Sequence, residues 1–241
     1  MSEQVLPNEL AQSADFEFFA LEEAKNYRRA LVRSFDGHLR GRVLEVGAGI
    51  GPLTALLLQL PAIRELVAIE PDARFCDRLK REFPRLRVVR GTVNNLQNEV
   101  NWDAILSVNV LEHIGDDEHE LAAYHRLLAA ENGVLCLFVP ARPEIYAPID
   151  KDFGHHRRYT RSVLERKLQD AGFQILTMHY FNIFGYFAWW FNFHVRKQRR
   201  FDRRAVSLFD AIVFPPLHFF ETTVCRPPIG QSLLTVARPD R

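Results

Sequence analysis

No run in these 241 residues approaches the roughly 20 consecutive apolar side chains that cross a bilayer, so a membrane-spanning protein is not expected. Only three cysteines occur, at positions 76, 136 and 225, far apart and outside any C-x-x-C pair, which argues against a disulfide framework or a thiolate zinc site. The nine histidines show no H-E-x-x-H spacing, and no metal site is expected. The cysteine usage predicts a reducing, cytoplasmic setting, and Met1 to Glu9, acidic and with neither a basic start nor an apolar stretch, gives no expectation of a secretory leader. Repeats and low-complexity linkers are missing too, so the whole of 1–241 is expected to form one domain.

What the chain does hold is 47% hydrophobic residues, enough for one sizeable α/β core with an elaboration. Strand patterns over 42–46, 65–70, 86–90, 103–108 and 133–139 alternate with helix patterns over 52–60, 72–83 and 117–130. Such alternation builds a parallel sheet with helices on both faces. Asp116 reads as a helix cap, Gly133 follows that helix, and Ser162-x-x-Glu165 reads as a capping box for a helix ending at Gly172. Phe173 to Tyr180 and Ser232 to Ala237 supply two further strands. Ahead of the core, Phe16 to Phe35 spaces its apolar residues as an amphipathic helix, so 10–36 is expected to act as a lid.

Val43 to Gly51 reads Val-Leu-Glu-Val-Gly-Ala-Gly-Ile-Gly, a buried strand entering a loop with glycine at every second position. Glycines at 47, 49 and 51 permit positive φ and remove the Cβ atoms that would hold a ligand away from backbone. A dinucleotide fingerprint needs Gly or Ala where Pro52 stands, and a P-loop needs Gly-Lys-Ser/Thr where Pro52-Leu53 follow Gly51. Glu70, ending the apolar run Leu66 to Ile69, has the offset of a ribose-binding carboxylate. Together, Glu-x-Gly-x-Gly-x-Gly after a strand, an acid ending the next strand, and Ala104 to Ser107 leading into Val108-Asn109-Val110-Leu111-Glu112-His113-Ile114 resemble class I S-adenosylmethionine-dependent methyltransferases.

The resemblance covers roughly residues 25–180 and the last strand, and implies a Rossmann-like, mostly parallel seven-stranded sheet of order 3-2-1-4-5-7-6. It implies a core over 37–180, a helical insertion over 181–223 and a closing strand over 231–238. S-adenosyl-L-methionine is the implied cofactor and S-adenosyl-L-homocysteine the product. Gly47, Ala48, Gly49 and Gly51 would then bring backbone against the cofactor, with Glu45 near its ammonium and Glu70, followed by Pro71, accepting its ribose hydroxyls. Many relatives place an aspartate after the glycine at position 91. This chain has Thr92, so the adenine contact falls to Thr92 Oγ, Asn94 or the N–H of Val93. Asn109 and Val110 resemble the floor beneath the methionine portion, and Tyr27 either closes over it or belongs to the core.

The acceptor side is read from Asp150 to Thr160, which follows the fifth strand at the end where open α/β sheets place ligands. His155 or His156 could take an acceptor proton. Arg157 and Arg158 could hold an anionic group, with Tyr146, Tyr159 and His113 nearby, although each of these has a structural alternative such as pairing with Asp150 or Asp152. Phe181 to Phe193 is almost wholly apolar and aromatic, and basic residues from Arg196 to Arg204 follow. Lys151 to Arg204 holds twelve Lys and Arg against four Asp and Glu, an excess of eight positive charges in a chain of net +1. A small-molecule, lipid or lipid-linked glycan acceptor is expected, with 181–204 touching the inner face of an anionic membrane. No RNA-binding module accompanies the basic stretch, which disfavours nucleic acid. The competing reading is a cofactor-binding subunit without turnover, with Phe181 to Phe220 as its protein interface.

Overall fold

The computed structural model describes residues 23–96, 98–128, 133–198, 203–224 and 226–240. Seven strands form one sheet: β1 (Gly41–Val46), β2 (Ile63–Glu70), β3 (Arg87–Arg90), β4 (Ala104–Val108), β5 (Val134–Pro140), β6 (Phe173–Phe181) and β7 (Ser232–Pro239). Their order is β3-β2-β1-β4-β5-β7-β6, and β7 runs antiparallel to both its neighbours while all other pairings are parallel. Fold and strand order are those the glycine-loop resemblance implies.

Alternation along the central strands divides the core into two layers. Leu44, Val46, Val67, Ile69 and Ile105 pack on one face with Leu121, Tyr124 and Leu127 of α4 (Asp117–Leu127) and Leu164 and Leu168 of α6 (Arg161–Asp170). Val43, Leu66, Ala68 and Leu106 pack on the other with Leu31 of α1 (Lys25–Ser34), Leu57 of α2 (Thr54–Leu57) and Leu79 of α3 (Ala73–Glu82). Side-chain caps set the helix starts: Asp72 accepts from Arg74 N at 2.8 Å, and Asp116 from His119 N at 3.0 Å. The capping box expected at Ser162 lies two residues too late, because Thr160 is the cap and accepts from Val163 N. Helix α2 is much shorter than 52–60: Pro52 and Leu53 still belong to the turn, and Pro61 disfavours helix in the residue before it. The part of the lid at 10–22, the last residues expected in α4 (129–130) and Cys225 lie outside the described residues.

After β6 the chain forms α7 (Ile183–Trp189) running into a π-helical stretch, Trp190–Val195. Further on, α8 (Arg203–Leu208), a π-helical stretch Phe209–Val213 and α9 (Phe214–Thr223) follow one another. Pro215 and Pro216 occupy the first turn of α9, where N–H groups have no intrahelical partner to lose, so the helical path continues through them. Two buried acids fasten this insertion. Asp210 accepts from the backbone N–H groups of Asn26 and Tyr27, both at 2.8 Å, and Glu221 from those of Asn182 and Ile183. One satisfies the open N-terminus of α1 and the other that of α7. Short α5 (Pro148–Asp152) and the loop after it complete the rim. No helix among the described residues is long and apolar enough to cross a membrane.

Candidate active site

The carboxyl end of β1 opens into the glycine loop, where Gly47, Gly49 and Gly51 take φ of 69°, 56° and 88°. A Cβ on Gly47 would stand 2.5 Å from Val110 Cγ2, so the strand-end loops approach closely only because this residue has no side chain. Glu70, at the end of β2, is buried and accepts from Gly49 N at 2.8 Å through one oxygen and Asp72 N at 2.9 Å through the other. Burial raises its carboxyl above the ordinary range, against the pull of those two hydrogen bonds. Glu45 is buried beneath the loop. Thr54 Oγ1 donates to it at 2.6 Å, yet burial, helped by the charge of Glu70, pushes its carboxyl up to about 8.

A narrow cleft of about 40 Å³ is lined by Glu45, Gly47, Ala48 and Leu53, with Tyr27 and Asn109 as a wall. Those last two residues also line a larger cavity of about 360 Å³. Apolar groups from the insertion, among them Trp189, Phe193, Phe209 and Phe214, surround most of it. Glu112, His155, Arg158 and Asn182 supply polar groups. Tyr27 packs edge-on against Phe181 at 5.3 Å and Phe138 at 6.4 Å, so the aromatic on α1 both closes a core and borders both spaces. A carboxylate pressed toward neutrality beside a bare loop suits a ligand bearing a positive charge. The cavity beside it suits an apolar one.

The chain matches the family described as a methyltransferase domain over residues 19–178. It belongs to the class I S-adenosylmethionine-dependent methyltransferases. A chain from the complex between the Haloferax volcanii Trm112 methyltransferase activator and a putative methyltransferase superposes with a TM-score of 0.64 at 15% identity, over 99% of this chain and 100% of that one. A putative methyltransferase from Bacillus halodurans C-125 gives 0.61 at 18%, over 89% and 99%. An S-adenosylmethionine-dependent methyltransferase from Clostridium acetobutylicum gives 0.59 at 11%, over 90% and 92%. At these identities the likeness concerns the fold. No curated protein matches.

S-adenosylmethionine is the cofactor of this methyltransferase, and the residues present fit it: a loop a Cβ would obstruct, and a buried carboxyl at Glu45 that an ammonium would relieve. Pro71 and Thr92 lie exposed at the ends of β2 and β3, while the Val93 side chain belongs to the core. Thr92 N donates to Asn95 Oδ1 at 2.9 Å, a contact the sequence did not announce. Asn109, with φ of 52°, stands in both cavity walls, and Val110 packs on Gly47.

On the acceptor side the fold separates residues that adjoin in sequence. His155 is buried and lines the large cavity, whereas His156 is exposed and does not line it. Arg158 is buried, pairs with Asp150 at 2.8 Å and lies over the Trp189 ring at 4.5 Å. Arg157 instead pairs with Asp117 at 2.7 Å and donates to Gly115 O, which commits it to α4 rather than to a substrate. Tyr159 is likewise core, its hydroxyl donating to Asp117 at 2.8 Å. Tyr146 donates to His155 O at 2.8 Å and so supports the loop without lining the cavity. His113 packs edge-on against His155 with ring centroids 4.7 Å apart. Glu112, Asp150 and Asp210 were not singled out from sequence as site residues. Glu112 and Asp210 act through partners remote in the chain, for which no local pattern exists, whereas Asp150 bonds within its own loop, to Ala147, His155 and Arg158.

Proposed function

We propose that this methyltransferase modifies an amphiphilic, anionic acceptor, a lipid-like small molecule or lipid-linked glycan, while resting on the cytoplasmic face of a membrane. The observation carrying this reading is the insertion's two-sidedness. Trp189, Phe193 and Phe214 are buried along the cavity, while Phe187, Phe191, Leu208, Ile212, Phe219 and Phe220 are each at least 51% exposed. Aromatic and aliphatic groups beside Arg196, Lys197, Arg203 and Arg204 form the combination that enters an anionic interface. An acceptor's apolar part would then pass from bilayer to cavity without crossing water.

When bound, the cofactor supplies a methyl group already activated on a positively charged sulfur, released as the acceptor forms its new bond to carbon. Protein groups have to align and desolvate. In this reading Gly47, Ala48 and Gly49 hold the cofactor by backbone, Glu45 meets its ammonium, and Glu70, followed by Pro71, offers its remaining lone pairs to the ribose diol. Thr92 and the Val93 N–H serve the adenine end, Asn109 and Val110 support the methionine end, and Tyr27 closes above. His155 stands where an acceptor proton would leave, with Arg158 beside it for polar head-group atoms. Flotation with liposomes containing anionic lipid tests the surface: binding at low salt is expected to weaken as salt rises. Absence of binding at low salt refutes docking. Label transferred from methyl-labelled donor into a lipid extract then identifies the acceptor, and label appearing only in water-soluble metabolites refutes the lipid-like class.

A further inference from the structure

We infer that Glu112, His113 and His155 form a binding site for a divalent transition cation at the polar end of the large cavity. One carboxylate oxygen and one nitrogen from each imidazole all lie within 4.8 Å of one another. Glu112 and His113 adjoin on the turn after β4, and His155 reaches them from the loop after α5, so only the folded chain assembles the set. Glu112 is fully buried and His155 nearly so, and both line the cavity.

The tautomer of His155 follows from its neighbours. Asp150 accepts from Arg158 Nε at 2.8 Å and from Ala147 N at 2.8 Å, and lies 3.1 Å from His155 Nδ1. A carboxylate offers only lone pairs, so Nδ1 carries the hydrogen and the lone pair is on Nε2. That nitrogen faces Glu112 Oε1 at 4.0 Å. Two electron-pair donors thus confront each other across a gap too wide for a hydrogen bond. Metal–nitrogen and metal–oxygen bonds of about 2.0–2.2 Å would close it with an inward movement under about 1 Å.

Charge and support agree with this. The Arg158 guanidinium pairs with Asp150, and the Glu112 carboxylate adds an anionic oxygen donor to the two imidazoles in a buried site. Asp150 behind His155 reproduces the carboxylate–imidazole support that orients metal-bound histidines. Two imidazoles with one carboxylate favour zinc and its first-row neighbours over magnesium, and three protein ligands leave a position open toward the cavity. Resting on the proposed acceptor site, the cation would draw an acceptor oxygen to this end and ease loss of its proton to water. His155 would then act as a ligand rather than as a base.

Equilibrium dialysis of the chelator-treated, cofactor-free protein against zinc, with magnesium as comparator, tests the site. One equivalent of zinc is expected, falling in affinity about a hundredfold in Glu112→Gln and in His155→Ala, with His156→Ala unchanged. His113→Ala gives a less buried substitution should either of the others fail to fold, and cobalt added to the folded protein should give visible bands that zinc abolishes. Absence of stoichiometric zinc in folded protein, or equal binding by wild type and His113→Ala, overturns the inference. S-adenosylhomocysteine binding, measured separately, decides the cofactor assignment and does not depend on the metal result.

Discussion

Glu45→Gln isolates the cost of keeping a carboxyl group beneath the glycine loop. In the cofactor-free protein burial raises this group from 4.5 to about 8, with Glu70 adding to the rise and Thr54 opposing it. Below the lower value the carboxyl is protonated in folded and unfolded chains alike and costs nothing. As pH rises, the unfolded chain releases its proton first, so stability falls through the window up to about 8 and levels off above it. At about 1.4 kcal/mol per pH unit, the full loss reaches about 5 kcal/mol, an upper figure because water and relaxation screen part of it. Glutamine keeps an oxygen for the Thr54 hydroxyl and has no proton to release. Urea unfolding of both proteins from about pH 5 to about pH 9 should show the difference moving several kcal/mol in favour of the variant and then stopping. Should the bound ammonium lie beside Glu45, wild-type affinity for S-adenosylhomocysteine rises over the same window and that of the variant does not. Parallel stability profiles for the two proteins would show the reasoning to be wrong.

Gly47→Ala places a methyl group at φ of 69° and 2.5 Å from Val110 Cγ2, so about 1–3 kcal/mol of stability should be lost and thermal stabilisation by S-adenosylhomocysteine should fall sharply. A variant stabilised by that ligand as strongly as wild type would remove the loop from the binding site. Asp117→Asn leaves Arg157, Lys167 and the Tyr159 hydroxyl with a weaker partner, at a cost of about 2–4 kcal/mol at neutral pH. Burial alone would raise the Asp117 carboxyl, but hydrogen bonds from Lys167, Arg157 and Tyr159 hold it below its ordinary value. Its contribution is therefore present above the unfolded value and disappears on acidification through the folded one. Chemical denaturation should show the gap between wild type and Asn closing at low pH, and a constant gap would refute this.

What the sequence determined by itself was whatever neighbouring residues encode. Glycine at 47, 49 and 51 can take positive φ without a Cβ penalty, Asp116 caps the N–H three residues on, and buried runs such as Val43 to Val46 suit a strand covered on both faces. The order of strands became legible through the resemblance those motifs support. Tertiary structure alone decided which polar groups face the cavity. His155 and His156 are indistinguishable as letters, yet one bonds Asp150 inside and the other points out. Arg157 and Tyr159 turn to Asp117 while Arg158 between them turns to Asp150, because successive side chains on an extended segment leave on opposite sides. Asp210 capping α1, and Glu112 meeting His155, join segments remote in the chain. Such pairings depend on how whole layers pack, and no local spacing records them.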